Sequence, residues 1–320
     1  MEPPFFAAFV TWFEPNYNGV PLRILYPNLT ALLMFRILVP VDLTENATKV
    51  CDFALAFSRH ASHTQMVLLH CYQDYLDEST TGNAFSDPAS ASELVTDRVL
   101  LRNQQEAEEK LDKLYLAIRK THRHLQLERV LMYGLPEECI KEEVQRFKPD
   151  LLVMATKGES NIARTFFGTV STNIIKEVTV PVLTVPATYD NTTIKRVLYA
   201  TDFDKSDTAA LNTLQQLVQP FGAVIECVHV ADEPNSSEQA ELEALRQKLQ
   251  QTATSNLNYT LLDGADVADA LQRFVTEQAI DMLALTTRSR TLLGSLLNPS
   301  LAKRMVLESQ VPLLILHAAE

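Results

Sequence analysis

The chain has 320 residues, 46% apolar and 21% charged, with no run of eighteen apolar residues, which argues against a disordered polymer and a membrane-spanning helix. At roughly 100 to 200 residues per domain, the length asks for about two domains, each with its own core. A formal net charge of −12 makes nucleic acid a repelled partner, and four scattered cysteines (Cys51, Cys71, Cys139, Cys227) offer neither a disulfide framework nor a zinc knuckle.

Free thiols of this kind fit a reducing cytoplasm. Residues 1–33 hold Phe5, Phe6, Phe9, Trp12 and Phe13 but no Lys or Arg before Arg23, so the charged start of a secretory signal is missing. Met34 directly precedes the first apolar run. The expectation is an upstream start or a disordered extension; the alternative is a tail that packs its aromatics on the body.

Residues 36–42 read RILVPVD and predict a buried strand that opens a βα unit and ends in Asp42. The next apolar run, MVLLHC over 66–71, predicts a second strand carrying His70 and Cys71 at its end. A polar stretch over 74–92 follows, then a long amphipathic helix with Leu94, Leu101, Leu111, Leu114, Tyr115 and Ile118 at helical spacings. That stripe is expected to face the core, with a lid or docking arm as the alternative. YGLPEECI places Gly134 before another helix, Asp150 opens a strand ending near Met154, and VPVLTV over 180–185 predicts an edge strand.

The same landmarks then return. RVLYATD (196–202) repeats the first strand 160 residues on, and VIECVHV (224–230) places His229 159 residues after His70. LDGADVADAL carries Gly264, 130 residues after Gly134, and Asp281 lies 131 after Asp150. Sliding residues 150–185 onto 281–316 gives seven identities in 36 without a gap, including Val180-Pro181 over Val311-Pro312. The drop from 160 to 131 puts the extra residues of the first copy between Cys71 and Gly134, in the polar stretch and a longer helix.

Strands alternating with helices and apolar on both faces imply a parallel sheet with right-handed crossovers, made twice. The expected units are an extension over 1–33, a first domain over 34–187 and a second over 194–320, with the short linker PATYDNTT (186–193) between. Ligands of such sheets sit beyond the carboxyl ends of the strands, where the order reverses. The two edge strands are expected to pair within the chain, giving an internal pseudo-dimer; a further homodimer stays open.

The chemistry gathers after the fourth strand. Ala155-x2-Gly158-x9-Gly168-Thr169 places glycines in a strand-to-helix loop and at the start of the helical run VSTNIIKEV. A helix N-terminus offers unpaired N–H groups, Gly lets an anion approach them, and Thr169 can cap the helix or donate to a phosphate oxygen. The alternative is a glycine pair that serves only tight loop packing. Lys157 and Arg164 would add charge-assisted phosphate contacts or lie on the surface as ordinary charges. His70 and His229 are expected to be satisfied by local hydrogen bonds, and Asp202 to orient a loop.

With these residues the chain resembles a tandem universal stress protein over residues 34–320. The family's nucleotide signature, G-x2-G-x9-G-[S/T], is met except for Ala155 in place of the first Gly. The resemblance implies two doubly wound, Rossmann-like α/β domains that bind adenine nucleotides. It also implies ATP, with Mg²⁺, in the first. Asp42 would contact the ribose or adenine side, with Pro40, Val41 and Cys71 around the adenine, and Met154 and Val170 adjoining the signature. Ala155 is harmless where φ is negative and damaging where only Gly fits. The second copy reads Thr286-x2-Ser289-x9-Pro299-Ser300, with all three glycines gone, and is expected to be a structural partner.

No nucleophile elbow, Walker lysine or zinc-ligand helix is present. The leading expectation is a regulatory binding protein, the second a nucleotide-independent stress-response module acting through a protein partner. Slow ATP hydrolysis is the third.

Overall fold

The computed structural model describes residues 16–17, 20–21, 34–44, 46–58, 63–73, 88–156, 170–203, 207–232, 236–250, 256–287, 305 and 309–317. Among the described residues no helix is long and apolar enough to cross a membrane. Of residues 1–33, only a hairpin of Asn16–Tyr17 with Val20–Pro21 is described, so the two readings of that segment lie outside the described residues.

Runs of Val, Ile and Leu become strands because their branched side chains fill both faces of a covered sheet. The first half runs β1 (Phe35–Pro40), α1 (Asn46–Ser58), β2 (Thr64–Tyr72), α2 (Pro88–Thr121), β3 (Gln126–Tyr133), α3 (Pro136–Phe147), β4 (Leu151–Ala155), a helix over 170–177 and β5 (Val182–Val185). The second half repeats the order: β6 (Arg196–Ala200), α4 (Asp207–Val218), β7 (Val224–Ala231), α5 (Ser236–Gln250), β8 (Leu257–Asp263), α6 (Val267–Glu277), β9 (Met282–Thr287) and β10 (Leu313–His317).

All ten strands join one sheet in the order β8-β7-β6-β9-β10-β5-β4-β1-β2-β3. Neighbours are parallel except at the centre, where β10 runs antiparallel to β5 with Leu313 opposite Thr184 and Ile315 opposite Val182. The predicted edge strands thus do pair within the chain and hide each other's open edges. Each half alone has the doubly wound order 3-2-1-4-5 of its own strands.

The cores are divided by sheet face, not by half, which corrects the expectation of one core per domain. One cluster joins Ile37, Val39 and Leu183 with Val197, Tyr199 and Leu314; the other joins Leu38, Leu152 and Val182 with Leu198, Leu283 and Ile315. The β5–β10 junction carries both faces across the repeat boundary. Phe57 on α1 meets Phe221 of the second half edge-on at 5.0 Å, and the His317 Nε2 donates to the Ile175 carbonyl at 2.8 Å.

The extra length of the first half is visible in α2, with 34 residues against 15 in α5. A 34-residue helix is about 51 Å long, whereas the nine-residue β2 beneath it spans about 30 Å. A helix this long cannot lie along that strand over its whole length. Ala107, Leu111 and Ile118 are buried and Leu114 and Tyr115 half-buried, but Leu101 is 56% exposed. The predicted core stripe holds from 107 onward and fails at Leu101; the side chain of Leu94 lies outside the described residues.

Sparing use of glycine has its reason at Gly134 and Gly264, where β3 and β8 turn into α3 and α6. Gly134 has φ +145°, and a Cβ on Gly264 would stand 2.9 Å from the Ala270 Cβ. Both donate a backbone N–H to the strand beside them, to Tyr72 O at 3.1 Å and Ala231 O at 3.0 Å.

Candidate functional site

The strand order reverses between β1 and β4. Their following helices leave to opposite faces: α1 supplies Val50 and Phe53 to one core, and the helix over 170–177 supplies Ile174 to the other. Ligands of doubly wound sheets sit beyond the carboxyl ends of the strands at such a switch point. Here that point falls at the carboxyl ends of β1, β2 and β4.

Pro40 and Val41 are buried at the end of β1, and the Val41 N–H donates to Leu69 O at 2.8 Å. Asp42 lies two residues past the strand, so β1 ends slightly earlier than the sequence suggests. Its Oδ1 accepts from the Thr44 N–H at 3.0 Å and the Thr44 hydroxyl at 2.7 Å. This Asx-type turn holds Leu43 at φ +56°, a left-handed conformation that costs a non-glycine residue roughly 1–2 kcal/mol. The other oxygen, Asp42 Oδ2, is buried and has no hydrogen-bond partner among the described residues. A buried acceptor of this kind suits a hydroxyl or amino donor.

The His70 Nδ1 donates to the Val41 carbonyl at 2.7 Å, and burial lowers its pKa. It positions the loop as a neutral ring, as expected. Cys71, next along β2, is half-buried. Met154 and Ala155 end β4 fully within the core, and the Ala155 carbonyl accepts from Ser171 Oγ at 3.0 Å. That bond ties the helix over 170–177, which begins with buried Val170, to the strand end. Ser171 was not singled out in the sequence; its place two residues after Thr169, in the first turn of the helix, was the available signal.

Ala155 is in strand conformation, paired in parallel register with Val185, and is absent from the residues of positive φ. It belongs to the same core cluster as Val39, Val41 and Ala47. The departure from the glycine signature therefore causes no backbone strain. Lys157, Gly158, Arg164, Gly168 and Thr169 lie outside the described residues, as do Arg288, Ser289, Pro299 and Ser300.

The second half closes the equivalent region with its own side chains. At the positions of Val39, Val41, Ala47 and Ala155 stand Tyr199, Thr201, Asp207 and Thr286. All four are buried. The Tyr199 hydroxyl donates to Asp207 Oδ1 at 2.7 Å and lies 2.7 Å from the Thr286 hydroxyl, while the Thr201 hydroxyl donates to Asp207 Oδ2. Burial and the Asp207 charge push the Tyr199 pKa well up, so it keeps its proton. The network laces the ends of β6 and β9 to the first turn of α4.

The Asp202 N–H donates to Asp207 Oδ2 at 3.2 Å, a backbone contact that leaves the role expected of its carboxylate untested. Phe203, at φ +59°, lies over the His229 ring at 4.2 Å, and His229 Nδ1 donates to Thr201 O at 2.9 Å. Asp207 was missed in the sequence because its importance depends on a tyrosine eight residues earlier. A hydroxyl-bearing residue inside an otherwise apolar strand was the signal.

The sequence profile of the universal stress protein family matches residues 34–186 and again 193–317. A universal stress protein A-like protein of Arabidopsis thaliana is 37% identical over 59 residues, 18% of this chain; the match spans 34% of that relative. The crystal structure of a universal stress protein from Archaeoglobus fulgidus shares the fold at a TM-score of 0.66 and 20% identity, covering 89% of this chain and 98% of its own. A putative universal stress protein from Pseudomonas aeruginosa aligns at a TM-score of 0.57 and 15% identity over 89% of this chain and 92% of its own.

Proposed function

Because the chain belongs to the universal stress protein family, twice over in one sheet, we propose that it is a regulatory protein whose first half binds ATP or another adenine nucleotide. Its second half is a structural partner. The observation that carries this reading is the contrast between the two crevices. In the first, Val39, Val41, Ala47 and Ala155 are apolar at the strand ends; in the second, Tyr199, Thr201, Asp207 and Thr286 stand at the equivalent positions and satisfy one another.

In this reading Asp42 accepts from the ribose or the adenine amino group, with Pro40, Val41 and Cys71 beside the base and Met154 and Val170 lining the approach. Gly158, Gly168 and Thr169 present backbone N–H groups and a hydroxyl to the phosphates, and Lys157 and Arg164 add charge. Mg²⁺ would travel with the triphosphate and offset its charge. Among the described residues no three His, Cys, Asp or Glu side chains gather to hold a metal. Bound at a hundredfold excess over Kd, the nucleotide stabilises the fold by about 2.7 kcal/mol. The two halves are then steadied together, and the readout is a protein partner's affinity. Cytoplasmic residence belongs to the same reading and rests on the four free thiols.

Protein denatured straight after purification is expected to release an adenine nucleotide. Gly168→Val should abolish binding by crowding the phosphates, whereas Pro299→Val should leave it intact. Equal loss from both variants would mean general destabilisation and count against the proposal. A nucleotide-independent interaction module is favoured for the second half alone, by its self-satisfied polar network.

A further inference from the structure

The four cysteines are all free thiols, but they sit in two different settings. Cys51 on α1 and Cys227 on β7 are buried in the apolar core of one face, and burial pushes both thiols up. Cys71 and Cys139 lie on the other face, where the first turn of α3 packs against the end of β2. Cys71 pairs in register with Met132 of β3, and the neighbouring Tyr72 carbonyl receives the Gly134 N–H. That bond fastens the turn leading into α3 beside Cys71. With φ +145° at Gly134, the turn closes on Cys139, whose Sγ would lie 3.2 Å from any Cβ placed there. The Cys71 and Cys139 side chains meet there as hydrogen-bond partners, sulfur to sulfur.

We propose that Cys71 and Cys139 are an oxidation site that closes to a reversible intramolecular disulfide when the first half meets hydrogen peroxide.

The two thiols are not equivalent. The hydrogen bond to Cys139 and then burial push the Cys71 pKa up, so Cys71 keeps its proton. Cys139 is pushed down by the same bond and by its own backbone N–H in the first turn of α3, against burial and the charges of Glu142 and Glu138. Cys139, the thiol that is pushed down, is the readier of the two to ionise and therefore attacks first. The Cys139 thiolate attacks one peroxide oxygen; an S–O bond forms, the O–O bond breaks, and the departing hydroxide takes a proton to become water. The Cys71 sulfur then attacks the sulfenic sulfur, its proton leaves with the hydroxyl as a second water, and the S–S bond forms. Two thiols and one peroxide become one disulfide and two waters. A dithiol reductant reverses the bond by exchange.

Neither step involves a nucleotide; because Cys71 also stands beside the base in the proposed reading, the oxidation is mapped on nucleotide-free protein, where its outcome does not depend on that reading. Trypsin cleavage after Lys49, Arg59, Arg98, Arg129, Lys141, Arg196 and Arg246 places the four cysteines on separate peptides. Full-length, fully reduced protein is treated with hydrogen peroxide, its remaining thiols are alkylated after unfolding, and the digest is read by mass spectrometry. The expected product joins the Cys71 and Cys139 peptides with loss of two hydrogens, disappears with dithiothreitol, and leaves Cys51 and Cys227 alkylated. In Cys71→Ser, Cys139 should accumulate as a sulfenic acid that dimedone captures. Both thiols remaining alkylatable in the wild-type protein, linkage to Cys51 or between chains, or equal oxidation of all four cysteines would overturn the proposal. Wild-type mapping decides the matter if the variant fails to fold.

Discussion

Asp150 and Asp281 perform the same task in the two halves, clipping the fourth strand to the first. Asp150 Oδ2 accepts from the Arg36 N–H at 2.8 Å, and Asp281 Oδ2 accepts from the Lys195 and Arg196 N–H groups at 2.7 and 2.9 Å. Burial raises the Asp150 pKa from 3.8 to about 6, only partly opposed by that hydrogen bond and the Arg36 charge. A carboxyl that holds its proton more tightly in the fold than in the unfolded chain stabilises the fold at low pH. That contribution falls away as pH rises from about 4 through about 6, by on the order of 2 kcal/mol. Asp150→Asn should therefore gain stability relative to wild type as pH rises through this window, measured by urea denaturation at about pH 4 and about pH 7. A constant difference between the two proteins would refute the assignment. The aspartates were legible as repeat landmarks, and so were Asp42 and the glycine spacing. The harmlessness of Ala155 was not, because its φ is fixed by pairing with Val185 and not by its neighbours in sequence.

Among the elements, α2 separates what periodicity can and cannot reveal. Its apolar spacing identifies one face of a helix, but the extent of sheet beneath that face belongs to β2 and β3. Leu111 is fully buried and Leu101 largely exposed, so the two leucines should respond differently to the same truncation. Leu111→Ala should cost about 2–5 kcal/mol of unfolding free energy through the cavity it leaves, and Leu101→Ala less than about 0.5 kcal/mol. Chemical denaturation of the two variants checks this, and equal costs would show that the whole length of α2 packs. The strands named from the sequence are mainly buried and apolar, whereas β3 and β8, the outer strands of the sheet, were not named, and β3 mixes exposed Gln126, Glu128 and Arg129 with its apolar residues. The polar network of Tyr199 and Asp207 was not read either, since it assembles from β6, α4 and β9 and no local pattern announces it.

Apart from the short hairpin near the start of the chain, the described strands form one ten-stranded sheet built from two copies of a five-stranded one. The connection rules and the repeat made the order within each copy readable, and the apolar edge strands made their pairing readable. The division of the core by face followed only from that pairing. Since each core cluster contains residues of both halves, calorimetric unfolding is expected to show one cooperative transition; two separated transitions would mean that the halves fold independently. Within this shared frame the strand ends of the two halves carry different side chains, and the function proposed for the chain depends on that difference. Titration of the purified, nucleotide-free protein with ATP in an isothermal calorimeter tests it most directly. The account predicts saturation at one nucleotide per chain, and a stoichiometry of two, or no binding at all, would contradict it.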